Sequence, residues 1–150
     1  MIVVPMVVVD TSVHVSAEVF AKKGSPARET LARAFALHFH MAMSQKLFAE
    51  IARKLVETGA RADDVADYLV ELRLLCKALW FADEPTDGLE CPDPDDLFLL
   101  ALARASEAVC VVSQDSDLVQ DDALPRGCSP GFFLARLREW RSEPKGQRFP

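Results

Sequence analysis

The sequence predicts an α/β fold, a three-layer α/β/α sandwich with a central, mostly parallel sheet. Two short valine-rich runs, at residues 3–10 and 109–112, lack polar alternation and are therefore expected to be strands buried on both faces. Segments with apolar residues at helical spacing separate the strands along the chain. Strands that alternate with helices favour right-handed crossovers, and hence a parallel sheet covered by helices on both sides.

The first strand ends on Asp10, and the apolar spacing that follows predicts a helix over residues 15–22. Ser25 and Pro26 form the start of the next helix, with serine as the N-cap and proline at the first helical position. The residues expected on the buried side of this second helix are Leu31, Ala34, Phe35 and Leu37.

Residues 39–43 predict a second strand, and Ser44 is the N-cap of the helix that follows it and stops near Gly59. A further helix is predicted over residues 63–78, followed by a short strand over residues 79–82.

A loop rich in Pro, Asp and Gly spans residues 83–94, and a helix is predicted from Asp95 onwards. After the strand at residues 109–112, residues 119–128 are expected to be loop with a short edge strand. Ser129 and the proline after it open the last helix. One domain is thus expected over residues 1–142, followed by a basic tail at residues 143–150.

The formal charge of −6 is unevenly distributed. Residues 83–122 hold twelve acidic residues and one basic residue, a net charge of −11, whereas residues 123–150 hold six basic and two acidic residues. A solvated acidic face would explain this stretch, and so would carboxylates that bind divalent cations. The four cysteines have no metal-finger spacing and no apolar run is long enough to span a bilayer, so we expect a cytoplasmic protein with reduced cysteines and no membrane partner.

Four acids are expected to meet at the carboxyl edge of the sheet, where ligands bind in open α/β folds. Asp10 ends the first strand, Asp115 follows the strand at residues 109–112, Asp96 starts a helix, and Glu50 lies in the second turn of another. Like charges raise each other's pKa unless a cation is present, so such a set would suit Mg²⁺ or Mn²⁺.

Each acid has a plainer interpretation when taken alone. Asp95 and Asp96 suit any helix N-terminus, Asp115 suits a turn, and Glu50 could form surface ion pairs with its neighbouring lysines. The set as a whole favours a metal site. His38 and His40 alternate around Phe39 and would share one strand face, which is a weaker metal-site hypothesis.

These segments resemble the PIN-domain ribonucleases, in particular the toxins of bacterial toxin–antitoxin pairs (VapC-like). The matching segments are residues 7–13 (VVVDTSV), 24–28 (GSPAR) followed by a helix, Ser44 with Glu50, residues 93–101 (DPDDLFLLA), residues 111–118 (VVSQDSDL) and residues 129–134 (SPGFFL). His14 replaces a usual aliphatic residue beside the site, and Gln114 replaces a usual small one.

The resemblance implies a metal-dependent endoribonuclease in which Asp10, Glu50, Asp96 and Asp115 hold one or two Mg²⁺ or Mn²⁺ ions. Asp95 and Asp117 are auxiliary acids, and the hydroxyl groups expected to orient the acids or waters belong to Thr11, Ser12 and Ser113. The resemblance also implies an RNA substrate, a small antitoxin and a homodimer. The candidate RNA-binding residues are Lys22, Lys23, Arg28, Arg136 and Arg138.

Two other classes of protein remain alternatives. One is a PIN-like module that binds RNA or protein without cleaving it. The other, less favoured, is a phosphatase or receiver-like α/β domain; a dehalogenase-type phosphatase needs a second Asp where Ser12 stands, and a receiver domain needs an acid pair at the end of its first strand.

Overall fold

A parallel sheet of four strands organises the fold. The computed structural model describes residues 4–20, 24–115, 118–119 and 127–142, so the predicted tail at residues 143–150 lies outside the described residues. Within those ranges the strands are β1 Met6–Val9, β2 His40–Met41, β3 Met43–Ser44, β4 Trp80–Phe81, β5 Cys110–Val112 and β6 Gly127–Cys128. The main sheet has the order β2-β1-β5-β6, β3 pairs with β4 in a second sheet, and every pair is parallel.

The two valine-rich strands are neighbours at the centre of the main sheet. Val7 pairs with Cys110 and Val9 pairs with Val112. Val7, Val8 and Val9 are completely buried, which explains why this strand shows no polar alternation. The prediction of two buried parallel strands is therefore confirmed.

Six α-helices lie in the described ranges: α1 Thr11–Val15, α2 Pro26–Phe35, α3 Gln45–Glu57, α4 Ala62–Leu75, α5 Leu97–Ser106 and α6 Pro130–Ser142. A π-helical turn, Ser16–Phe20, continues α1, and a 3₁₀ turn, Pro94–Asp96, precedes α5. The three predicted serine caps are confirmed, because the backbone N–H of the third residue in each of α2, α3 and α6 donates to the hydroxyl oxygen of Ser25, Ser44 or Ser129.

The first helix begins earlier than the apolar spacing predicts. α1 starts at Thr11, immediately after Asp10, which has the extended backbone of an N-cap residue. The polar residues Thr11 and Ser12 conceal this start in the sequence. Phe20 is one of the apolar residues whose spacing predicts a helix over residues 15–22. It ends the π-helical turn with 66% of its surface exposed, so it does not lie on a buried helix face as that spacing suggests.

The end of α2 also differs from the prediction, because Phe35 and Leu37 are exposed rather than buried. Leu37 has a left-handed backbone (φ 61°). The Leu37 N–H donates to the Ala34 carbonyl and the His38 N–H donates to the Arg33 carbonyl, which is the hydrogen-bonding pattern of a Schellman cap. Leu37 thus occupies the position that glycine usually takes, and its side chain points away from the buried face.

The second strand is divided between the two sheets. The Ala42 N–H donates to the Val7 carbonyl in the main sheet, whereas the Met43 N–H donates to the Leu79 carbonyl, beside β4. Residues 39–43 therefore form β2 and the start of β3. β2 begins at His40, so His38 lies outside this strand. The prediction that His38 and His40 share one face of a strand is therefore wrong.

Helices pack around the sheet as predicted. α5 packs against β1 and β5, α2 packs against α6, and α1 packs against α3. Phe39 and Phe133 meet edge to face at 5.0 Å between ring centroids in the buried core. The molecule has the predicted three-layer α/β/α fold with a parallel central sheet. Among the helices of the described residues, none is both long enough and apolar enough to cross a membrane.

Candidate active site

A cleft of about 390 Å³ opens where β1 and β5 end. Its lining includes Asp10, Glu50, Asp96 and Asp115, and we call it the acidic cleft. The four carboxylates come from the end of β1, from α3, from the 3₁₀ turn before α5, and from the loop after β5. The structure therefore brings together four acids that are separated by up to 105 residues of sequence.

Asp10 is the most buried of the four acids, with 6% of its surface exposed. Its Oδ2 atom accepts hydrogen bonds from Ser113 Oγ at 2.7 Å and from Ser12 Oγ at 2.9 Å. Burial raises the pKa of Asp10 most strongly, and the Glu50 charge raises it further, while the two serine hydroxyl groups lower it. Asp10 is thus a buried carboxylate with one oxygen atom fixed by two hydroxyl donors.

Glu50 is held by Thr11. Thr11 Oγ1 donates a 2.7 Å hydrogen bond to Glu50 Oε2, which ties α3 to the start of α1. Arg53 Nη2 lies 3.9 Å from Glu50 Oε1. The neighbouring lysines have other contacts, since Lys54 pairs with Glu57 and Lys46 lies over the Phe98 ring. Glu50 therefore belongs to the acidic cleft rather than to a surface lysine pair.

Asp96 has the most perturbed pKa of the acidic cleft. Burial, the charges of Asp10, Asp93 and Asp115, and a hydrogen bond with Asp115 raise the pKa of Asp96 to about 7. Its Oδ2 atom is buried and has no hydrogen-bond partner among the residues that the structure describes. A buried carboxylate oxygen without a donor is a position that a cation can occupy.

Asp95 differs from Asp96 in its surroundings. Asp95 is exposed, does not line the acidic cleft, and donates its backbone N–H to Asp93 Oδ1 at 2.9 Å. The two neighbouring acids thus differ in position: Asp96 lies in the cleft and Asp95 lies outside it.

Asp115 is positioned by the loop that follows β5. Its backbone N–H donates to Ser113 Oγ at 2.9 Å, so the same hydroxyl group contacts both Asp10 and Asp115. The Gln114 N–H donates to Ser12 Oγ at 3.1 Å, and its side-chain amide donates to Ser16 Oγ at 3.2 Å. The candidate residues Asp117, Lys22 and Lys23 lie outside the described residues.

The candidate RNA-binding arginines do not line the acidic cleft. Arg28 faces a separate cavity with Glu18, Arg136 pairs with Glu139 at 3.1 Å, and Arg138 faces another pocket. The acidic cleft has a different cation, Lys54, and an exposed aromatic ring, Phe20. The sequence contains no signal that would have selected these two residues, because their placement depends on the π-helical turn and on the packing of α3.

The acidic cleft fits a hard divalent cation in its donor chemistry. Its donors are carboxylate and hydroxyl oxygens, neighbouring carboxylate charges raise the pKa values of Asp10 and Asp96, and Asp96 has the unpartnered oxygen described above. In the ranges that the structure describes, no three His, Cys, Asp or Glu side chains are grouped as they would be around a bound metal ion.

A family model described as the PIN domain matches residues 6–117, which are 112 of the 150 residues and include all four acids of the cleft. No match to a curated protein was found. PIN domains are generally nucleases. This match, together with the parallel sheet and the acids at its carboxyl edge, shows that the chain belongs to the PIN domain family.

Proposed function

We propose that this protein is a metal-dependent endoribonuclease that hydrolyses RNA phosphodiester bonds in the acidic cleft. The observation that carries the proposal is the meeting of four carboxylates from four elements in one cleft, with the pKa of Asp96 raised to about 7. Repulsion of this kind destabilises a folded protein unless a cation offsets it. A stable structural role does not require such an arrangement, whereas a metal-dependent nuclease does.

Asp10, Glu50, Asp96 and Asp115 are the residues that would hold Mg²⁺ or Mn²⁺. When bound, one or two such ions supply the positive charge that stabilises the phosphate in the transition state and lowers the pKa of the attacking water. The chain prepares the site by fixing carboxylate oxygens before any ligand binds. Ser12 and Ser113 hold Asp10, and Thr11 holds Glu50.

Two further residues of the acidic cleft suit an RNA strand. Lys54 lines the cleft, and its ammonium group, which also pairs with Glu57 at 3.7 Å, can bind a phosphate there. Phe20 exposes two thirds of its surface at the same cleft, where an unpaired base can stack on its ring. We therefore assign Lys54 to the phosphate backbone and Phe20 to a base.

The experiment that tests this function is cleavage of a labelled RNA panel with Mg²⁺ or Mn²⁺, compared with EDTA. Asp10→Asn is the inactivating variant, because it preserves the shape of the side chain, and Asp63→Asn is the control, because Asp63 is an exposed acid in the first turn of α4. We expect cleavage by wild type and by Asp63→Asn, and none with EDTA or with Asp10→Asn. RNA binding without metal-dependent cleavage would overturn the proposal in favour of a binding module, and neither binding nor cleavage would overturn it in favour of other phosphate esters.

We further propose that the protein is the cytoplasmic toxin of a toxin–antitoxin pair, with a small antitoxin partner and a homodimeric assembly. Exposed apolar side chains support a role in assembly: Val70 and Leu74 lie one turn apart on α4 and are 60% and 69% exposed. Induced expression in bacteria should arrest growth, and Asp10→Asn should not. Light scattering should give twice the mass of the chain for the wild type and the mass of one chain for Val70→Asp with Leu74→Asp; a monomeric wild type would contradict the dimer.

A further inference from the structure

We propose that a small pocket between α2 and α6 binds a phosphate group, at a site separate from the acidic cleft. The pocket has a volume of about 110 Å³. Its lining residues are Arg33, His38, Leu134, Leu137, Arg138 and Arg141, and we call it the arginine pocket. The proposed nuclease chemistry does not use these residues, so the inference goes beyond the proposed function.

The arginine pocket lies at the opposite edge of the sheet from the acidic cleft. His38 comes just before β2, and His40 pairs with Met6, the first residue of β1. This is the amino-terminal edge of the parallel strands, whereas Asp10 follows the last residue of β1. A ligand in the arginine pocket therefore does not share the carboxylates of the acidic cleft.

The Schellman cap of α2 fixes the first half of the pocket. It places His38 against Arg33, and Arg33 Nη1 lies 3.2 Å from His38 Nδ1. A guanidinium group can only donate hydrogen bonds, so Nδ1 is the acceptor and the ring hydrogen is on Nε2. Glu29 Oε1 holds Arg33 from the other side, with distances of 2.9 Å to Nε and 2.8 Å to Nη2. Glu29 and His38 thus hold the Arg33 guanidinium in place, and the Nε2–H group of His38 is left as a hydrogen-bond donor.

Helix α6 supplies the second half of the arginine pocket. Arg138 and Arg141 are three residues apart and both line the pocket. Within the described part of the chain, neither forms an ion pair with a carboxylate, whereas Arg136 on the same helix pairs with Glu139. Among the described residues, three guanidinium groups and one carboxylate leave an excess of two positive charges around a cavity with leucine side chains in its wall. An anion is the ligand that this charge requires.

Phosphate is the anion that fits best. Arginine presents its N–H groups as a planar fork that matches the oxygens of phosphate, and the pocket can take one such group but not a whole nucleotide. The pKa of His38 is consistent with a surplus of positive charge in the pocket. Partial burial and the charges of Arg141 and Arg33 lower this pKa, and the negative charge of Glu29 acts in the opposite direction. A bound phosphate would offset the arginine charges and raise the pKa of His38.

The test is an NMR titration of His38 with inorganic phosphate, with sodium chloride keeping the ionic strength constant. We expect the pKa of His38 to rise by roughly half a unit or more in the wild type and in Arg136→Gln, which removes one positive charge from the same helix outside the pocket. The rise should be lost in Arg138→Gln with Arg141→Gln. An unchanged His38 pKa in the wild type, or an equal rise in the double variant, would overturn the proposal.

A second arm distinguishes the source of the phosphate. A DNA dinucleotide is used with and without a 5′-phosphate, because a ribonuclease leaves DNA intact. A rise in the His38 pKa that needs the 5′-phosphate assigns the pocket to phosphate monoesters, and a rise with both forms assigns it to backbone diesters. An equal rise with acetate in place of phosphate would overturn phosphate recognition. Since this readout does not involve cleavage, its failure is independent of the proposed nuclease activity.

Discussion

Ser113 Oγ donates a 2.7 Å hydrogen bond to Asp10 Oδ2 across 103 residues of sequence. The bond joins the residues that follow two neighbouring strands, since Val9 pairs with Val112 in the register of β1 and β5. The same hydroxyl oxygen accepts the N–H of Asp115. One serine side chain thus contacts two acids of the candidate site, and its hydrogen bond to Asp10 requires β1 and β5 to be in register.

Ser113→Ala should lower kcat/KM for RNA cleavage by about 10- to 100-fold, because Asp10 loses one of the two hydroxyl groups that orient it. It should also change the pH profile. The Ser113 hydroxyl lowers the pKa of Asp10, which burial raises, so its removal raises that pKa further. The acidic limb of the kcat/KM profile should therefore move to higher pH.

Ser106→Ala is the matched control for this prediction. Ser106 is also a buried serine, but its hydroxyl donates to the Ala103 carbonyl within α5 and does not contact an acid of the cleft. We expect Ser106→Ala to leave the acidic limb in place. An identical pH profile for Ser113→Ala and the wild type would show that Ser113 does not position Asp10.

Asp96→Asn and Asp95→Asn test which of two adjacent acids takes part in catalysis. Asp96 lines the acidic cleft with an unpartnered buried oxygen, whereas Asp95 is exposed. We expect Asp96→Asn to lower kcat/KM by roughly 100-fold or more and Asp95→Asn to change it by less than about threefold. The measurement is steady-state RNA cleavage with Mn²⁺, and the reverse order of the two variants would assign the site to Asp95.

The fold was predictable because its signals are local. Val7, Val8 and Val9 form a run that is typical of a strand covered on both faces, and the serine caps of α2, α3 and α6 need nothing beyond their own first turn. The two strand ends then place Asp10 and Asp115 at one edge of the sheet. The position of Glu50 could also be predicted, because Glu50 lies in the second turn of α3, whose start is marked by the Ser44 cap.

Other features depend on contacts between elements, and the sequence does not encode them locally. The hydrogen bond between Thr11 and Glu50 needs the packing of α1 against α3. Phe20 reaches the acidic cleft through a π-helical turn that has no sequence signal. Leu37 is an apolar residue in a position that favours glycine, so a pattern of apolar spacing assigns it to the core in error.

The raised pKa of Asp96 makes a prediction about stability without metal. An unfolded Asp loses its proton near pH 4, whereas folded Asp96 keeps its proton until about pH 7. Between these values the unfolded state binds fewer protons, so the free energy of unfolding falls as pH rises. In EDTA, the melting temperature of the wild type should therefore fall more between pH 5 and pH 8 than that of Asp96→Asn. Parallel curves for the two proteins would contradict the assigned pKa.

His14 should make the protein sensitive to acid in the opposite sense. His14 is completely buried and its ring is hydrogen-bonded to the Tyr68 hydroxyl. Burial lowers the pKa of His14 to about 4. The unfolded chain takes up this proton near pH 6.5, whereas the folded chain takes it up near pH 4, so this contribution to stability is present above pH 6.5 and is lost as pH falls. Loss of the His14 contribution should lower the free energy of unfolding by about 2 kcal/mol as the pH falls from 7.5 to 5.

The double variant His14→Leu with Tyr68→Phe isolates that contribution, because it removes both partners of the buried hydrogen bond and leaves neither one unsatisfied. Urea unfolding at the two pH values should show that the double variant lacks the loss of about 2 kcal/mol assigned to His14 in the wild type. Asp96 is present in both proteins, so its opposite pH dependence cancels in the comparison. An equal pH dependence in the two proteins would mean that His14 binds its proton equally well in the folded and unfolded states, and so would contradict its burial as a neutral ring between α1 and α4.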